Sequence, residues 1–220
     1  MGAFNKTILK NIYQRLFKTY GPQHWWPGET KFEIIVGAIL TQNTNWQNVE
    51  KAIANLKQAQ CLNPKALKNV KVSRLTAFIR PSGYFNIKAK RLKNFINFLF
   101  EEYDGNLSRM SREETGILRQ KLLAVNGIGP ETADSILLYA FDKPVFVVDA
   151  YTKRIFSRHH IVGAGEEYHS VQRVFTESLP ADIPVYNEYH ALIVRLAKDF
   201  CKTKPECAQC PLNAKKYYSG

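Results

Sequence analysis

From Leu118 to Ala140 the chain runs LRQKLLAVNGIGPETADSILLYA, two apolar-striped segments joined by Asn126-Gly127-Ile128-Gly129. Leu118, Leu122 and Val125 recur at helical spacing before the joint; Ala133, Ile136, Leu137 and Ala140 do so after it. Pro130 suits the first position of the second helix, where a missing N–H costs nothing. Two glycines around one aliphatic residue let the backbone turn tightly and approach another backbone closely. The free N–H groups at the start of the second helix make an anion site suited to a phosphate. The spacing reads as a helix-hairpin-helix element, which grips DNA by its backbone without reading sequence. The alternative is a plain αα-hairpin whose glycine only caps a helix. Downstream, Asp149 follows the β-branched run Val145 to Val148 and precedes a helical stretch, Ala150 to Arg158. There it can cap the helix, whose N–H groups and dipole keep it ionised.

The same helical period extends outward in both directions. Phe32, Ile35, Ile39 and Leu40 share one face, as do Phe95, Phe98, Leu99 and Tyr103. Turn signals such as Gly21-Pro22, Pro27-Gly28 and Pro81-Ser82-Gly83 separate the helices, and there are no repeats or flexible linkers. The 220 residues therefore predict an all-α fold of roughly ten helices with short connections. A composition of 45% hydrophobic and 23% charged residues excludes disordered, collagenous and low-complexity classes. Lys and Arg number 31 against 19 Asp and Glu, a net charge of +12, which points to a polyanionic partner such as nucleic acid. The longest apolar run, Ile34 to Leu40, is too short to cross a bilayer. The N-terminal residues carry no secretory pattern, so a cytoplasmic location is expected. No dinucleotide or P-loop fingerprint is present.

Val125 to Asp134, Val147-Val-Asp-Ala-Tyr151, Leu40-Thr-Gln-Asn-Thr44 and the cysteines Cys201, Cys207 and Cys210 occur together and in order. In this combination the chain resembles the helix-hairpin-helix DNA glycosylases of the endonuclease III superfamily. The resemblance implies two helical lobes with a DNA-binding cleft between them. Residues 28–138 would form a six-helix lobe with the hairpin, and 1–27 with 139–220 a second lobe. It also implies a monomer acting on double-stranded DNA that contains damaged bases, with Asp149 as the catalytic carboxylate. Such enzymes extrude the damaged nucleotide and break its N-glycosidic bond. Because the transition state resembles an oxocarbenium ion, a carboxylate can stabilise it and activate water.

Bifunctional members of that superfamily carry a lysine two residues after the second hairpin glycine, and its amine forms a Schiff base that leads to strand cleavage. Here that position is Glu131, which cannot form an imine, so a monofunctional enzyme is expected. Trp25, Trp26 and Trp46 lie close together in sequence, and indole faces favour a cationic base. The Trp-Trp-Pro loop and Thr-Gln-Asn-Thr segment look like the 3-methyladenine glycosylase branch, in which Trp25 and Trp46 would sandwich the base. By position in that family, Asn43 would plug the hole left by the flipped base and Tyr84 would wedge the opposite strand. Gly127, Ile128, Gly129 and Thr132 would hold DNA phosphates, Lys88 and Lys90 would track the backbone, and Lys198 would lie near the pocket. Two alternatives stand beside this reading: an endonuclease III-like glycosylase and AP lyase for oxidised pyrimidines, and a DNA-binding module without catalysis.

Cys201, Cys207 and Cys210 crowd near the C-terminus, a spacing that suggests a metal rather than disulfides. Related enzymes bind a [4Fe–4S] cluster through four cysteines, and the position of the fourth is Lys216 here. Three thiolates are compatible with a cluster completed by an unusual ligand, with zinc, or with a loop that packs without metal.

Overall fold

Helix starts in this chain are set by side chains that accept hydrogen bonds from the exposed N–H groups of the first turn. In the computed structural model, which describes residues 2–25 and 28–213, Thr30, Asn45, Asn63 and Asp182 each cap a helix in this way. The order is α1 (Gly2–Tyr20), α2 (Lys31–Leu40), α3 (Trp46–Gln58), α4 (Pro64–Asn69), α5 (Val72–Ile79) and α6 (Phe85–Tyr103). There follow α7 (Leu107–Ser111), α8 (Thr115–Ala124), α9 (Pro130–Ser135), α10 (Ala150–Arg158), α11 (Tyr168–Ser178) and α12 (Ile183–Asp199). Among the described residues there is no strand, so the fold is all-α as its period predicts. The helices outnumber the sequence expectation because α4 and α7, of 6 and 5 residues, are too short to show a period.

The chain divides into two compact units, Met1–Trp25 with Pro144–Gly220, and Trp26–Lys143. In the second unit α2 is the central helix. Phe32, Ile34, Ile35, Val36, Gly37, Ile39 and Leu40 are all buried, which leaves it apolar nearly all round rather than on one face. A π turn, Ile136–Ala140, continues α9 and packs on α2, carrying this unit on to Lys143. Arg119 on α8 makes a bidentate pair with Asp134 on α9, Nε to Oδ1 at 2.6 Å and Nη2 to Oδ2 at 3.0 Å. That pair ties together the two helices of the hairpin.

In the first unit, α1, α11 and α12 pack around an aromatic core. Phe146 stacks on Phe175 with centroids 4.0 Å apart, and Tyr186 meets it edge-on at 5.4 Å. The Tyr189 hydroxyl donates to Leu9 O at 2.9 Å, fixing α12 against α1. The β-branched run before Asp149 pairs with no strand among the described residues. Two of its backbone groups meet side chains: Gln172 donates to Phe146 O and the Val148 N–H donates to the Tyr168 hydroxyl. Among the described residues, no helix is long and apolar enough to cross a membrane.

Candidate functional site

Asp149 is the N-cap of α10, in extended conformation at φ −104° and ψ −179°. Its Oδ1 accepts the Thr152 N–H at 2.7 Å and the Thr152 hydroxyl at 2.8 Å. Its Oδ2 lies 3.6 Å from His190 Nε2 on α12. Burial would raise the carboxyl pKa, but His190 and the Thr152 bonds outweigh it and hold the group below the usual carboxylate range. The carboxylate is thus ionised, with one oxygen committed to the cap. Trp25 stands edge-on to His190, centroids 6.4 Å apart. Its indole N–H is buried and meets no acceptor among the described residues. Segment 21–25 is tied to α12 by the Gln23 N–H, which donates to Glu188 Oε1 at 2.8 Å. Trp26 lies outside the described residues. Lys198 is exposed in the last turn of α12.

The hairpin is built within the other unit. Gly127 adopts φ +97°, and a Cβ there would sit 2.3 Å from Arg91 Cγ, so turn and close approach both demand glycine. Gly127→Ala is expected to cost about 2 kcal/mol through a strained backbone and a displaced arginine. The midpoint of urea unfolding, read alongside duplex affinity, checks it. Gly129 differs: its φ of −91° suits any residue, and a Cβ would meet nothing in the chain within 4 Å. The space it keeps open lies outside the protein, as a close phosphate approach would need.

Two of the predicted hairpin contacts, and one predicted on α6, are corrected by the structure. Ile128 is buried and its N–H donates to Val125 O at 3.0 Å, so it anchors the hairpin instead of presenting a donor. Thr132 is buried and its hydroxyl accepts from Gln42 Nε2 at 2.9 Å. The amides of Gly127 and Gly129 donate to no group among the described residues. Lys88 is also turned inward, with its Nζ donating to Leu40 O at 2.8 Å and Ser82 O at 2.6 Å. Burial, with some help from Arg91, pushes its pKa down to about 8. It therefore closes the end of α2 onto the turn before α6 and does not track phosphates, whereas Lys90 is exposed.

Asn43 and Tyr84 occupy left-handed backbone, at φ +54° and +45°. Asparagine tolerates that region; tyrosine does not, and Tyr84 is 67% exposed as well. Tyr84 thus spends its side chain on no core contact at the start of α6. Trp46 is half-buried, with its indole N–H donating to Glu50 Oε1 at 2.9 Å. Glu131 is exposed in the first turn of α9. Two residues escaped assignment in the sequence. Gln42 bridges the Gly127 carbonyl, the Thr132 hydroxyl and Arg91, and its only signal was its place in the Thr-Gln-Asn-Thr segment. His190 had no local signal.

Among the described residues the cysteine loop brings no full cluster site together. A [4Fe–4S] cluster takes four thiolates. Cys201 and Cys210 are buried and Cys207 is exposed. Among the described residues no three His, Cys, Asp or Glu come together as a metal-binding group, and Lys216 lies outside those residues. Arginines hold the loop from α10: Arg154 Nε donates to Cys201 O at 2.8 Å, and Arg158 to Cys201 Sγ, Lys202 O and Thr203 O.

A glycine hairpin thus joins α8 to α9, the arrangement of a helix-hairpin-helix protein, and an ionised aspartate caps α10. Residues 36–181 match the HhH-GPD superfamily base excision DNA repair protein family. The chain belongs to that family and is a DNA glycosylase of base excision repair. It is 50% identical over 207 residues to a Methanocaldococcus jannaschii protein provisionally named a DNA repair glycosylase, covering 93% of this chain and 94% of the other. It also resembles the Helicobacter pylori 3-methyladenine DNA glycosylase solved with 1,N6-ethenoadenine, at 31% identity and a TM-score of 0.72 over 88% and 97% of the two chains. A trapped endonuclease III–DNA covalent intermediate shares the fold, with a TM-score of 0.82 at 21% identity over 96% and 97%.

Proposed function

We propose that this chain is a monofunctional glycosylase that hydrolyses the N-glycosidic bond of alkylated purines such as 3-methyladenine in duplex DNA. The observation that carries the reading is Asp149, a carboxylate held ionised with Oδ1 bound to the cap and Oδ2 outside it. As the glycosidic bond breaks, positive charge develops on the sugar and the carboxylate stabilises it. Oδ2 takes a proton from the water that attacks C1′, and the alkylated purine, already cationic, leaves as a neutral base without an acid. Trp25, beside His190, is a stacking face we assign to that base. The likeness to the H. pylori enzyme supports the choice of alkylated purines. Glu131 at the lysine position of the hairpin supports hydrolysis without a Schiff base. We also assign Asn43 and Tyr84 to the strand distortion and the Gly127 and Gly129 amides to the phosphates.

The test uses duplexes containing 3-methyladenine, 1,N6-ethenoadenine or thymine glycol, each analysed with and without alkali and after borohydride. Release of the alkylated purines, strand breaks only after alkali and no borohydride adduct are expected. Thymine glycol release with breaks before alkali and a trapped adduct would place the enzyme with the lyases instead.

A further inference from the structure

The two oxygens of Asp149 have unequal surroundings. Thr152 saturates Oδ1 from within α10, while Oδ2 faces the imidazole of His190, brought in by α12. Asp149 and His190 have side chains only 12% and 8% exposed, so their interaction is weakly screened. The imidazole stands on an anchored helix. Its neighbour Tyr189 is anchored to Leu9 O, Glu188 accepts the Gln23 N–H, and the Trp25 ring stands against it. From α11, the Tyr168 hydroxyl fixes the Val148 N–H, and with it the backbone entering Asp149. The groups in contact with the pair are Thr152 from α10 and the uncharged Trp25, and Tyr168 from α11 holds the adjoining backbone.

We infer that His190 is a positioning residue for the glycosylase reaction: its imidazole stands 3.6 Å from Asp149 Oδ2 and fixes the aim of that oxygen in a site nearly closed to solvent. This rests on Asp149 being the catalytic carboxylate. The separation of 3.6 Å is longer than a hydrogen bond, so Oδ2 remains able to turn to a water while the imidazole stands beside it. Without His190, burial acts against Thr152 alone and the carboxyl moves upward, so activity requires a higher pH.

The test compares wild type, His190→Leu and His190→Gln by two readouts. The first is the carboxyl carbon resonance of Asp149 in 13C-aspartate protein, assigned by its loss in Asp149→Asn. Its titration midpoint is expected to rise by about one pH unit or more in both variants. The second is single-turnover base release across pH. His190→Leu is expected to lose about 2- to 10-fold near pH 4.5 and recover at higher pH, with duplex affinity nearly unchanged. His190→Gln keeps a neutral donor, so it recovers part of the rate while its acid limb stays displaced. An unmoved midpoint together with an unmoved acid limb overturns the inference, and should His190→Leu not fold, His190→Gln decides it alone. Wild type that releases no base from any duplex counts against the enzymatic reading, and the carboxyl titration still decides whether the pair exists.

Discussion

Asp149→Asn slows base release from a methylated duplex by about 100-fold or more, while the Kd for that duplex changes by a small factor only. Asparagine caps a helix about as well as aspartate, so the Thr152 bonds and the start of α10 survive. What is lost is the negative charge that the sugar cation needs and the base that accepts the water proton. Single-turnover kinetics and a binding titration measure the two effects separately. Normal turnover in the variant would reduce Asp149 to a helix cap. The substitution also changes stability with pH in a defined direction. The carboxyl lies below its unfolded value, so its contribution is complete above that value and is lost as pH falls through the folded one. The gap in stability between wild type and Asp149→Asn therefore closes on acidification below about pH 4.

Arg119→Ala is the second large effect, and it falls on stability. Asp134 is fully buried, and Arg119 binds both of its oxygens. Removing the guanidinium leaves a buried carboxylate without its counter-ion, a loss of about 3–5 kcal/mol. Against a total of about 5–15 kcal/mol for a domain of ordinary stability, that is a substantial fraction. Urea unfolding shows it as a fall in the midpoint, and the doubly substituted Arg119→Met, Asp134→Leu protein is expected to recover most of it. Since the pair joins α8 to α9, duplex affinity weakens with it. A midpoint unchanged in Arg119→Ala would mean that the pair contributes no net stability.

The parts of the site that were legible in sequence are those whose physics is local. A glycine that must turn, a proline that opens a helix and an aspartate that caps one act within a few residues, so Gly127, Pro130 and Asp149 announce their roles by spacing. The residues misjudged are those whose environment comes from elsewhere in the chain. Lys88 sits in a run of basic residues that reads as a solvated face, yet the carbonyls of Leu40 and Ser82 close around its amine. Thr132 and Ile128 fall inside the hairpin motif, but one is taken by Gln42 and the other is spent on the core. A hydrophobic count on α2 shows one face, while the surrounding helices bury the rest.

The sequence by itself determined an all-α chain, a glycine hairpin, a strongly basic surface charge and an aspartate at a helix start, because period, φ preference and capping are properties of short segments. Only the tertiary structure decided which polar groups are turned inward and what stands opposite the carboxylate. His190 reaches Asp149 because α12 is anchored to α1 and to segment 21–25, and long-range packing of that kind leaves no mark on local sequence spacing.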